Sequence, residues 1–166
     1  MDQTHFTLVL ERPEDRAAVE ALNDLVFGPG RYARTAYRVR EDAAPDAGFA
    51  FVALRQGRLV GSVQLTEVMI GAAPALLLGP LAIHPDVQGK GCGLALLHAS
   101  VDAARARGHG LIVLVGDEPY YARAGFRRVP DGRIVWPGPV DPARVLALEL
   151  EPGALDGARG LIRGKR

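Results

Sequence analysis

At 166 residues, 48% of them hydrophobic, the chain can bury one core, and no Ser/Gly-rich or charged linker divides it, so a single domain over residues 1–166 is expected. Twenty Lys+Arg against nineteen Asp+Glu leave a formal charge of +1, which argues against a nucleic-acid partner; one cysteine excludes an internal disulfide framework, and four scattered histidines lack metal-ligand spacing. Met1-Asp2-Gln3-Thr4-His5 opens no basic-then-apolar leader and no run approaches the roughly 20 apolar residues that span a bilayer, so no membrane partner and a cytoplasmic location are expected.

Residues 6–10 read as a short strand, and Val19, Leu22, Leu25 and Val26 recur at helical spacing until Gly28-Pro29-Gly30 ends the helix. Residues 31–40, with Tyr32, Tyr37 and the arginines 31, 34, 38 and 40, predict a second short helix that is too polar for the core. Residues 50–55, a Gln56-Gly57 turn and residues 58–69 predict a hairpin, with Leu59, Val63 and Leu65 on one face by period two. A third strand over 75–83 follows Gly71. Helix 91–107 carries Leu94, Leu97, Val101 and Ala104 at spacings of three and four, and Gly108 and Gly110 precede the apolar strand 111–115. A short helix over 119–124, a strand over 126–129 and a last strand over 144–151 complete the pattern. The basic tail of Arg159, Arg163, Lys165 and Arg166 reads as solvated.

The segment 81–94 is the most informative, because a strand stops, glycines follow at 89, 91 and 93, and a helix begins. Glycine lets the backbone approach an anion with no Cβ in the way, while free N–H groups and the positive end of the helix dipole face the charge. A nucleoside triphosphate loop needs Ser or Thr after Gly-Lys, and here Lys90 is followed by Gly91. A dinucleotide fingerprint belongs after the first strand, whereas these glycines follow the middle strands.

Ile83-x-Pro85-x-x-Gln88-Gly89-x-Gly91-x-Gly93-Leu94 resembles the acyl-CoA motif of the GNAT superfamily of N-acetyltransferases, whose Gln/Arg-x-x-Gly-x-Gly/Ala pattern is matched by Gln88, Gly91 and Gly93. Tyr120-Tyr121-Ala122-Arg123-Ala124-Gly125-Phe126 resembles its downstream Tyr-x-x-x-Gly-Phe element, and Val115-Gly116-Asp117, Pro139-Val140 and Glu151-Pro152-Gly153-Ala154-Leu155 are similar to a bacterial subgroup of predicted N-acetyltransferases. The resemblance implies an α/β fold with a central, mostly antiparallel sheet flanked by helices and splayed at the strand before the glycine loop, where Gly79-Pro80 permits a bulge. It implies acetyl-CoA as acyl donor with no metal, and an amine acceptor attacking directly in a ternary complex. Coenzyme A would then be held by the backbone of Leu81, Ala82 and Ile83 along its pantetheine arm. Gln88, Gly89, Lys90, Gly91, Cys92, Gly93 and Leu94 would wrap its pyrophosphate. Lys90 reads equally as a charge for the phosphates or as a solvated side chain.

By the same resemblance Tyr121 is the acid that protonates the departing thiolate, the alternative being an aromatic packed under the short helix. Tyr120 is expected to face elsewhere. Residues 73–83 contain no Asp or Glu, a departure from the family habit, which leaves Glu67 as candidate base or as a surface residue at a hairpin end, with Asp117 as the other option. Cys92 reads as filler, with no His-Asp partner to activate it. His84 and His98 are expected on the surface. Arg31, Arg34, Arg38 and Tyr32 fit either an anionic acceptor or a solvated helix face. The acceptor class stays open, a homodimer is compatible with the sequence, and a non-catalytic CoA-binding regulatory or interaction module is the second functional reading.

Overall fold

The structure, a computed structural model, describes residues 5–44 and 47–166, so the reading of residues 1–4 lies outside it. Strand β1 (Thr7–Leu10) precedes helix α1 (Arg16–Phe27), which turns Val19 and Leu22 inward and ends at Gly28 with φ 72. After a 3-10 turn at Pro29–Ala33 comes helix α2 (Thr35–Asp42). Strands β2 (Gly48–Arg55) and β3 (Arg58–Ile70) make the expected hairpin, and β4 (Ala73–Ile83) returns antiparallel along β3. Helix α3 (Cys92–Ala106) crosses to β5 (Leu111–Val115), followed by helix α4 (Glu118–Tyr121) and strands β6 (Arg127–Arg128), β7 (Ile134–Val135), β8 (Val145–Glu149) and β9 (Gly160–Gly164).

The strands order β1-β2-β3-β4-β5-β8-β6, antiparallel except for β4 beside β5, and for β7 beside β9. This is the expected mixed sheet flanked by helices. Alternation along β4 divides the core between its two faces: Leu76 and Leu78 pack with Leu96 and Leu97 of α3, while Ala75 and Leu77 pack with Val39 of α2 and Ile162 of β9. Each of these buried leucine, valine and isoleucine side chains contributes about 1.5–3 kcal/mol of transfer free energy.

The feature that positions the site is the separation of β4 from β5. Only Leu76↔Ile112 and Leu77↔Val113 pair across them, at the start of the cleft, and past Leu77 the strands diverge. The cause lies one pair further on. Val63↔Leu81 and Leu65↔Leu78 leave Gly79 and Pro80 opposite Gln64 alone, a bulge on β4. Gly79 has φ +126, where a side chain is strained, and Pro80 brings no N–H to a ladder. The strand bends there, and the backbone edge of residues 78–83 is left facing a cleft.

Three expectations need correction. The basic tail is not merely solvated: β9 pairs with β3 at Val68↔Gly164, Met69↔Arg163 and Ile70↔Ile162, taking the edge that β2 vacates beyond Thr66, and Ile162 is 1% exposed. The strand 144–151 is therefore not the last. Segment 31–40 does reach the core, because Val39 is 1% exposed and Arg31 is buried, its guanidinium bonded to Glu20 at 2.6 Å, to Asp24 and to the Tyr32 hydroxyl at 2.6 Å. Carboxylates of α1 make that burial tolerable. His84 is half-buried, its Nδ1 accepting from the Asp86 N–H at 3.1 Å to cap the turn Pro85–Val87.

Candidate active site

A cleft of about 750 Å³ opens where β4 and β5 part. Its floor is Leu78, Gly79, Pro80, Leu81 and Ile83 of β4; one wall is the glycine loop with the start of α3, and the other carries Val115, Gly116, Tyr120 and Tyr121. Helix α2 closes the far end with Thr35, Ala36, Tyr37 and Arg40.

The glycine loop is shaped for an anion. Gly89 at φ +75 and Gly91 at φ +86 occupy left-handed backbone that a side chain would strain, and space is open where their Cβ atoms would stand. Among the described residues none of the N–H groups of Gly89, Lys90, Gly91, Cys92, Gly93 and Leu94 reaches a main-chain acceptor. Those donors sit at the N-terminus of a long helix, where partial positive charge accumulates. A pyrophosphate fits this loop, and amides of an extended arm fit the unpaired edge of β4.

Gln88, Gly89, Gly91, Cys92, Gly93 and Leu94 all line the cleft, as do Leu81 and Ile83. Lys90 is half-buried and its side chain does not line the cleft, and the Ala82 side chain is 0% exposed in the core, leaving only its backbone to act. Cys92 is buried, and that burial pushes its thiol up to about 11, so it stays protonated and unreactive near neutrality.

Tyr121 stands on α4, edge-on to Phe126 at 6.0 Å between centroids and to Tyr120 at 5.0 Å. The glycine at 116 gives it room, since a Cβ there would press into its ring. Burial, then Tyr120 and Asp117, push its hydroxyl up to about 12. Tyr120 departs from expectation. Its ring lines the same cleft, and its hydroxyl lies over Gly93, which a Cβ would strike.

Among the candidate proton-transfer residues Tyr121, Asp117 and Glu67, Glu67 alone does not line the cleft. It sits where β3 passes from β2 to β9, its N–H donating to Ala47 at 3.2 Å and its carbonyl accepting from Lys165 at 2.9 Å, and its carboxylate acts on His109 at the distal end of α3. The carboxylates that do line the cleft, among the described residues, are Asp117 and Asp141. Asp117 is 3.5 Å from Arg144 in an exposed pair.

Sequence reasoning missed Arg40. In the sequence it belongs to the polar end of a short helix, yet its guanidinium lies at the bend of β4, with Nη2 2.5 Å from where a Gly79 Cβ would be. The available signal was helical phase, because Ala36 and Arg40 are four apart and flank the buried Val39.

The acetyltransferase (GNAT) domain profile matches residues 46–128, half of the chain. The chain belongs to the GNAT acetyltransferase family. This GNAT protein is 26% identical over 126 residues to the uncharacterised N-acetyltransferase YjhQ of Escherichia coli strain K12, covering 74% of this chain and 70% of that one. Its fold is shared with the GNAT family N-acetyltransferase YhbS of Escherichia coli, solved in complex with CoA, at a TM-score of 0.80 and 24% identity over 96% of this chain and 89% of that one. A GNAT acetyltransferase of Brucella melitensis, solved with acetyl-CoA, superposes at a TM-score of 0.68 with 26% identity, covering 90% of each chain. No helix among the described residues is long and apolar enough to cross a membrane.

Proposed function

We propose that this GNAT acetyltransferase moves the acetyl group of acetyl-CoA to a primary amine by direct attack in a ternary complex, with residues 1–166 working as one domain. The observation that carries the reading is the convergence on one cleft of the unpartnered N–H groups of 89–94, the open edge of β4 and Tyr121. Acetyl-CoA supplies a thioester carbonyl open to nucleophilic attack.

The chain contributes binding, charge stabilisation and a proton. N–H groups of the glycine loop hold the pyrophosphate, and backbone groups of Leu81, Ala82 and Ile83 hold the pantetheine amides. An N–H of that same free edge supports the negative charge that grows on the thioester oxygen as the amine adds. The amine attacks in its neutral form, and its proton leaves through water toward Asp117 at the cleft mouth. As the C–S bond breaks, the Tyr121 hydroxyl gives its proton to the sulfur. A hydroxyl near 12 is a much weaker acid than a thiol near ~8.5, so the transfer is concerted with bond cleavage rather than a separate step.

The test joins calorimetry with acetyl-CoA to a thiol-release assay over free amines, polyamines, aminoglycosides and peptides. Acetyl-CoA binding with turnover on at least one class is expected. Binding with no turnover on any amine overturns the catalytic reading in favour of a CoA-binding module.

A further inference from the structure

Arg31 and Arg40 present a contrast between two inward-facing arginines on neighbouring segments. Arg31 is surrounded by Glu20, Asp24 and the Tyr32 hydroxyl. Arg40 has no ion pair among the described residues, and its Nε is buried with no hydrogen-bond partner. The charged or titratable groups acting on it are Tyr121, Tyr37 and Arg34, none of them a carboxylate. A guanidinium removed from water without a counter-ion is costly, and an anionic ligand in the cleft would offset that cost.

The placement decides which ligand. Arg40 lines the cleft at the bulge of β4, facing Gly79, whose missing side chain lets the guanidinium reach the strand. Tyr37 and Thr35 of the same helix line the cleft beside it. The donor's phosphates belong at the glycine loop, so Arg40 stands at the acyl end, where the acceptor amine must approach Tyr121. Burial pulls Arg40 down to about 10, and it is still a cation at neutral pH. The cleft carboxylates Asp117 and Asp141 do not neutralise it: Asp117 pairs with Arg144, the Asp141 carboxylate accepts from the Ala143 N–H at 3.0 Å, and neither is among the groups acting on Arg40.

We propose that Arg40 is a specificity-determining residue that binds a carboxylate on the acceptor, so that the amine acetylated here carries an acidic group a few bonds from its nitrogen. The inference rests on the acetyltransferase reading and narrows its acceptor to amino-acid-like amines. Planar guanidinium against planar carboxylate gives two parallel charge-assisted hydrogen bonds, which fix the direction of the amine as well as its affinity.

The experiment compares amines that differ only in the carboxylate, α-amino acids beside their decarboxylated amines, in wild type, Arg40→Gln and Arg40→Lys. Wild type is expected to favour the carboxylate-bearing member of a pair. Arg40→Gln should shrink the ratio of kcat/KM between members about 10- to 100-fold, mainly through KM, with partial recovery in Arg40→Lys. Because the natural acceptor is unidentified, a second measurement uses products: N-acetyl amino acids should raise the melting temperature of the wild-type CoA complex more than N-acetyl amines do, and Arg40→Gln should abolish the difference. Equal loss on both members of each pair, or no difference between the two product classes, overturns the proposal. So does a carboxylate effect that follows succinyl-CoA over acetyl-CoA, which would assign Arg40 to the acyl group. Calorimetry with acetyl-CoA separates the layers, since wild type that binds no acetyl-CoA refutes the acetyltransferase reading itself.

Discussion

At the scale of single residues, Tyr121 carries the sharpest consequences. Tyr121→Phe keeps the ring against Phe126 and removes only the proton, so kcat should fall about 100-fold or more while acetyl-CoA affinity measured by calorimetry stays within about twofold. Gly116→Ala tests position rather than chemistry: its Cβ pushes the Tyr121 ring off its seat, and part of the same kcat loss should appear with the phenol intact. The hydroxyl's pH dependence has a definite sign. Burial raises it from 10.0 to about 12, so the acid stays protonated, and for an amine without a carboxylate kcat/KM should climb with the neutral fraction of the amine and then level; a carboxylate-bearing amine should show a descending limb near pH 10, where Arg40 loses its charge. A profile over pH 7 to 10.5, with circular dichroism confirming the fold at each point, checks it. The same raised value costs stability on the alkaline side. Between about 10 and about 12 the unfolded chain has released this proton and the folded chain has kept it, so unfolding free energy drops as pH rises through that window.

Among the elements, β9 links stability to the acceptor end of the cleft. It hydrogen-bonds to β3, and its Gly164 lies so close under α2 that a Cβ would meet the backbone of Asp42 and Ala43. Helix α2 in turn holds Arg40 and Tyr37 over the cleft. Ile162→Ala should lower unfolding free energy by about 2–5 kcal/mol in urea titrations, because the side chain is wholly buried beside Ile70 and Val39. Its exposed neighbour Leu161, 48% accessible, should tolerate Ala with a far smaller change. Ile162→Ala should also raise the KM of the amine more than that of acetyl-CoA, since β9 supports α2 and not the glycine loop. Residues 160–164 read as a basic tail in the sequence for a physical reason: three residues between two glycines carry little period-two signal, and their strand character comes from an edge of β3 that lies some ninety positions away. Strand β7 escaped notice likewise, being two residues long and paired only with β9.

For the molecule as a whole, what the sequence made legible was local and what it hid was convergence. The hairpin around Gln56-Gly57, the spacing along α3 and the glycines that need positive φ each depend on neighbours within a few positions, and they located the donor loop. Displacement of Glu67 toward His109, the approach of Tyr120 to Gly93 and the isolation of Arg40 beside Gly79 depend on distant segments meeting. The split sheet itself yields a measurable consequence. Because β4 and β5 pair only at Leu76 and Leu77, their ends beyond that point lack mutual cross-strand bonds, and a donor whose pantetheine arm lay along the free edge of β4 would supply partners there. Acetyl-CoA at about 100 times its Kd should add roughly 2.7 kcal/mol to the folded state, a rise of about 5–10 °C in melting temperature for a domain of this size. ATP and NAD at the same concentration should give far less, since both bring phosphates to the glycine loop and neither brings a pantetheine arm to the strand edge. Comparable stabilisation by all three would mean that the loop binds phosphate alone, and that the gap between β4 and β5 contributes nothing to recognising the donor.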